Sequence, residues 1–202
     1  MKRLWILVAT LSGTLAATSA LPAPSAEAGA AKAATCQACH GANGNSTNPE
    51  WPSLAGLGAD YIADQLKNFK DGKRANPVMM PMTSTMTADD MADLGMYFDS
   101  LPNTGLEADP SYWQAGEKLY RAGDLSREIP ACMACHGPTG KGNGPAKFPA
   151  LRGQHATYVI KQLTDYASGT RTTGPNGIMQ TIAKRLSPDD MRNLASYLQG
   201  IR

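Results

Sequence analysis

The chain has 202 residues, room for one medium domain or two small ones, and its 42% hydrophobic content is that of a soluble globular protein rather than a disordered or fibrous one. A formal charge of +2 with no basic run excludes a nucleic-acid binder that relies on a cationic surface. Aromatic residues make up only 6%, few bulky side chains for two separate cores, so apolar volume must come from elsewhere.

The N-terminus reads as an export signal. Lys2 and Arg3 precede an apolar run from Leu4 to about Ala17, followed by small residues and prolines. Cleavage after Ala28 fits Ala26-Glu27-Ala28 and makes residues 1–28 the signal; cleavage after Ala20 is the alternative. The run is shorter than the ~20 apolar residues of a spanning helix, so a retained anchor is the weaker reading.

Next comes Cys36-Gln37-Ala38-Cys39-His40, which recurs as Cys132-Met133-Ala134-Cys135-His136. In C-x-x-C-H the two thiols add to the vinyl groups of a haem and the histidine becomes an axial ligand of its iron. A zinc ribbon places its second pair roughly 15–20 residues on, whereas here 92 residues separate Cys39 from Cys132. The motifs use all four cysteines and two of the three histidines. Two covalently bound haem c groups follow, and their attachment outside the cytoplasm agrees with the export signal. Two buried haems also supply the apolar volume that the composition lacks.

The rest of the chain repeats with a period of about 96 residues. Trp51-Pro52-Ser53-Leu54 with Gly56 recurs as Phe148-Pro149-Ala150-Leu151 with Gly153. Tyr61, Gln65, Leu66, Gly72 and Arg74 recur as Tyr158, Gln162, Leu163, Gly169 and Arg171. Each half predicts a short helix ending at the haem motif (near Gly29 to Thr35 in the first), a Gly/Pro/Asn-rich loop, a middle helix, a methionine loop and a closing helix. The middle helices carry Tyr61, Ile62, Gln65, Leu66 and Phe69, and Tyr158, Val159, Gln162, Leu163 and Tyr166, spaced for one apolar face. The closing helices start at Thr87 and Ser187 as N-caps, with acidic residues in the first turn. Almost nothing alternates as a strand would, so the fold is all-α: two tandem helical haem domains at 29–107 and 108–202. The boundary is the Pro- and Gly-broken stretch from Leu101 to Pro110, after which Ser111 caps a helix from Tyr112 to about Arg121.

A sixth iron ligand is needed in each half. His155 is the one spare histidine and reads as a surface or hydrogen-bonding residue. Methionine fits better, since a thioether favours ferrous iron and raises the potential. Eight residues before each closing cap stand Met79 and Met179. Met179 is alone in its loop, whereas Met80, Met82 and Met86 compete with Met79, Met82 foremost. Pro52 and Pro149, 12 and 13 residues after their histidines, offer carbonyls to the imidazole Nδ1–H groups. Arg74 and Arg171 are candidates to pair with haem propionates.

These features together resemble the dihaem cytochrome c4 family across essentially the whole mature chain. The two C-x-x-C-H domains, the Trp-Pro-Ser-Leu-Ala-Gly and Phe-Pro-Ala-Leu-Arg-Gly turns, and Ile178-Met179 before Leu186-Ser187 carry the resemblance. It implies a periplasmic, often membrane-associated electron carrier, not an enzyme, with its two domains related by a pseudo-twofold axis. By the same resemblance, electrons come from a bc1 complex or a small copper protein and go to a terminal oxidase. The methionine-rich Val78-Met79-Met80-Pro81-Met82 departs from the family pattern. The alternatives are a dihaem peroxidase or sulfur-compound dehydrogenase, which needs an open iron position, and a haem subunit of a larger oxidoreductase. Charge also divides the chain: residues 29–107 hold 5 Lys/Arg and 9 Asp/Glu, residues 108–202 hold 12 and 7. Such a dipole would steer unlike partners to opposite ends.

Overall fold

The computed structural model describes residues 23–201; the leader's apolar run lies outside the described residues. The first domain holds α1 (Ala26–Lys32), α2 (Ala34–His40), α3 (Ala59–Lys70), α4 (Met79–Thr83) and α5 (Ala88–Ser100). The second holds α6 (Trp113–Ala122), α7 (Met133–His136), α8 (Ala156–Ser168), α9 (Ile178–Ala183) and α10 (Pro188–Gly200). Extended backbone pairs only at two isolated bridges among the described residues, Asp124 with Ile129 and Asn143 with Phe148.

Local chemistry sets the helix ends. Thr87 and Ser187 form complete capping boxes: each side chain accepts from the backbone N–H of Asp90 or Asp190, and that carboxylate accepts from the cap's own N–H. The haem-motif helices α2 and α7 both stop at a glycine with positive φ, Gly41 (86°) and Gly137 (79°), where a side chain would be strained.

Three local expectations change. The first helix begins at Ala26 rather than near Gly29, because Ser25 caps it: the Ser25 side chain accepts from Ala28 N–H, and its own N–H donates to Asp93 Oδ1. Ser111 does not cap α6, whose cap position is Tyr112 with no side-chain acceptor; the Ser111 N–H instead donates to Asp109 Oδ1. The methionine segments are not bare loops. Met79 opens α4 and Met179 is the second residue of α9.

In each domain the first helix crosses the closing one at a glycine. Gly29 lies against the Asp93 carbonyl of α5 and Gly116 against the Asn193 carbonyl of α10, so closely that a Cβ at either would collide with backbone. The middle helices α3 and α8 pack on α5 and α10. The first core gathers Ala33, Ile62, Leu66, Met91, Leu94 and Phe98; the second is larger, adding Tyr120, Ile129, Leu186 and Ile201 to its helical Leu119, Val159, Met191, Leu194, Ala195, Tyr197 and Leu198.

The domains meet through polar groups. Arg74 donates to Gln65 of its own domain and to Tyr158 and Gln162 of the other; Arg171 donates to Gln162 of its own and to Tyr61 and Gln65 across the boundary. The Arg74 guanidinium also lies over the Phe69 ring and that of Arg171 over Tyr166, at 4.6 and 4.5 Å from the centroids. Lys147 and Asp64 form an exposed ion pair across the same boundary.

Candidate functional site

α2 delivers Cys36, Cys39 and His40 to the wall of a cavity of about 440 Å³ in the first domain. Its other walls include Pro52, Leu54, Ile62, Leu66 and Phe98, with Met79, Met82 and Met86 from α4 and the turn after it. Met80 is absent from this wall and 38% exposed. Met79 is half-buried and packs against the first core, whereas Met82 reaches the cavity from an exposed position. The second domain contributes Tyr158, Lys161, Gln162, Asp165, Thr170 and Arg171 to the same cavity.

In the second domain α7 carries Cys135 and His136, with Cys132 at its N-cap position, and α9, packed on α8, carries Met179. Cys132 and Met133 lean on the second core. The Phe148 ring sits 6.1 Å from the His136 ring, where the first domain has the half-open Trp51.

Both motif histidines are buried, and each uses Nδ1 to reach a proline carbonyl: His40 to Pro52 at 2.8 Å, His136 to Pro149 at 2.9 Å. A carbonyl only accepts, so Nδ1 is the protonated nitrogen and Nε2 keeps its lone pair. Burial pushes both imidazoles below their ordinary pKa, outweighing the hydrogen bonds to Pro52 and Pro149, which pull the other way. Both rings are therefore neutral near pH 7, each with one nitrogen ready to ligate a metal. Burial also pushes the Cys36 thiol up, and that of Cys132 up to about 11.

These residues fit a haem. The cavity is mostly apolar, two thiols and a neutral imidazole stand on one wall, and thioethers stand on another. Arg74 and Arg171 also line it, buried, and among the described residues neither guanidinium has a carboxylate in its hydrogen-bonded set. Burial pushes the neighbouring Tyr61 phenol up, but the charges of Arg171 and Arg74 outweigh it and hold that phenol below its ordinary pKa. Such a field suits an acid group, and haem carries two.

Sequence reasoning overlooked the contacts that cross between domains. His155 is buried, not on the surface: its Nε2 donates to the Ser46 carbonyl at 2.8 Å. Gln154 beside it accepts from Ser53 N–H and donates to the Ser53 carbonyl, both at 2.9 Å. The one available signal was a break in the duplication, since Gln154 and His155 stand where the first half has Leu57 and Gly58.

The Cytochrome c family model matches residues 26–102 and again 113–202. Two such domains, each with its own C-x-x-C-H motif and buried imidazole, make a dihaem c-type cytochrome, an electron carrier with two covalently bound haem c groups. Cytochrome c4 of Pseudomonas aeruginosa is 47% identical over 158 residues, 78% of this chain and 79% of that one. The crystal structure of reduced recombinant cytochrome c4 from Pseudomonas stutzeri superposes with a TM-score of 0.86 at 43% identity, covering 89% of this chain and all of that one. A protein described as a thiosulfate dehydrogenase electron acceptor, from Thiomonas intermedia, is 39% identical over 73% of this chain and 69% of its own. The chain belongs to the cytochrome c4 family.

Proposed function

We propose that this cytochrome works in the periplasm, taking electrons from a respiratory donor such as a bc1 complex or a small copper protein and passing them to a terminal oxidase. The export-type leader and the family support the location, and among the described residues no helix is long and apolar enough to cross a membrane. The leader is cut after Ala20 in this reading, because a cut after Ala28 would strip α1 of its Ser25 cap and first turn. The domains divide within the helix-free stretch between α5 and α6, near residue 107.

Cys36 with Cys39, and Cys132 with Cys135, form the thioether links. His40 and His136 would ligate the irons through their free Nε2 atoms, with Met79 and Met179 as the thioether partners. The bound haem supplies a one-electron iron couple of high potential, as Met/His ligation does. The protein's own work is to hold the imidazoles neutral and oriented, to keep water out of an apolar cavity, and to keep ligands in place during oxidation and reduction. The observation that carries the reading is the same imidazole-to-proline-carbonyl contact in both halves.

Optical and paramagnetic spectra of the oxidised protein test it. Two low-spin Met/His haems that ignore cyanide and peroxide are expected; a high-spin iron that binds them readily would move the reading to a dihaem peroxidase or dehydrogenase. A second reading of the donor has its own support in the relative described as an electron acceptor of thiosulfate dehydrogenase. There the electrons come from a sulfur-oxidising enzyme, and the rate at which each purified donor reduces the protein separates the two.

A further inference from the structure

One peptide group in each domain joins two hydrogen bonds that point in opposite directions. The Pro52–Ser53 peptide accepts from His40 Nδ1 at its carbonyl, and its N–H donates to Gln154 Oε1 of the second domain. The Pro149–Ala150 peptide accepts from His136 Nδ1, and its N–H donates, at 3.2 Å, to the Leu57 carbonyl of the first. Ser53 and Ala150 are equivalent positions in the duplication, and so are Gln154 and Leu57. The arrangement is reciprocal: position 154 reaches back to 53 as position 57 reaches forward to 150.

A peptide polarises as a unit. An acceptor at its N–H pushes electron density through the amide toward the carbonyl oxygen, and a donor at that oxygen makes the N–H more positive, so each bond strengthens the other. Ser53 and Gln154 are both buried, at 4% and 6% exposure, so bulk water does not damp the effect. A better acceptor behind an imidazole N–H makes the imidazole a stronger electron donor at its other nitrogen.

We propose that each haem's lower imidazole is tuned by the opposite domain through this single peptide group, with Gln154 as the positioning residue for His40. This rests on His40 and His136 being the iron ligands. The two arms differ in chemistry. His40 is tuned by a side chain that substitution can change, held on both sides by its second bond to the Ser53 carbonyl. His136 is tuned by backbone alone.

The test is Gln154→Leu, which keeps the volume and removes the acceptor, in the intact dihaem protein. The midpoint of each haem is followed separately through its own NMR signals. The expected result is a two- to tenfold shift of the first haem's equilibrium toward the ferrous form, up to about 59 mV upward for one electron, with the second haem's midpoint unmoved. In the reduced, 15N-histidine-labelled protein, the His40 Nδ1–H resonance moves and that of His136 stays. Gln154→Glu retains an acceptor oxygen and decides the matter if the leucine variant folds poorly: the first midpoint stays at or below the parent value. A fall in Tm with neither midpoint nor resonance changed, an equal shift at both haems, or the same rise in both variants overturns the proposal. Failure of the underlying reading looks different, since the His40 ring would then lack the large ring-current shift of a haem ligand in the parent protein.

Discussion

The two domains build the lower side of their haem sites in the same way and the upper side differently. Below, a helix ending in histidine and glycine faces a proline carbonyl in both. Above, the first domain offers three methionines around its cavity, and the second offers Met179 alone in the corresponding segment. The first domain's core is small and its cavity is closed partly by the second domain's α8. The second domain has a larger core and an added finger, residues 123–131, braced by the Arg127 ion pairs with Asp124 and Asp190 and by Arg185 on Glu128. After duplication, the geometry that sets ligand orientation stayed fixed while the approaches to the site diverged.

The largest way to break the comparison is at the proposed methionine ligands. Met179→Ala is expected to leave its iron high-spin and to lower that haem's midpoint by a sizeable share of the ~0.8 V that axial ligands span. Met79→Ala should do less, because Met82 and Met86 line the same cavity and can ligate in its place. Voltammetry of both variants reads the difference; equal losses would mean that the spare methionines only pack.

The boundary arginines come next. Arg171→Ala leaves Tyr61, Gln65 and Gln162 short of a donor and is expected to cost about 2–4 kcal/mol in denaturant unfolding. Arg74→Ala should cost a similar amount. The double variant should cost less than the sum, since both arginines share Gln65 and Gln162. Strict additivity would show that the network is not one unit.

Helix crossing is where the halves should behave alike. Gly29→Ala and Gly116→Ala each drive a methyl into a backbone carbonyl and should each destabilise by about 1–3 kcal/mol, read as a drop in Tm.

The smallest effects sharpen the comparison at the closing helices. Thr87→Ala and Ser187→Ala should each cost about 1 kcal/mol. Acid then separates them from the rest. The Lys32 hydrogen bond, with that of the Thr87 N–H, holds Asp90 well below the ordinary carboxylate pKa. A carboxylate depressed on folding stabilises above its unfolded pKa, near 4, and that benefit is lost as pH falls through the depressed folded value. Asp90→Asn should therefore lower Tm at pH 6 and narrow the gap from the parent as pH drops below 4.

Much of this was legible in the chain itself. The haem motifs, the duplication, both closing-helix N-caps and the proline carbonyls follow from residues that act on near neighbours, through contacts of fixed spacing. Ser25 was hidden because the acid group that holds its N–H, Asp93, lies 68 residues away. The partners that Arg74, Gln154 and His155 find in the other half were hidden for the same reason. Spacing within one copy carries no record of how two copies face each other. The methionine segments misled differently: read as loops, each still closes a short helical turn.

The crossed arginines also bear on why the two copies remain on one polypeptide. Severed between α5 and α6, either fragment would carry a guanidinium robbed of its phenol and of one of its two carboxamide acceptors, on a face shaped for its lost twin. A gene split that produced two monohaem proteins would thus have to redesign that face before the pieces could live apart.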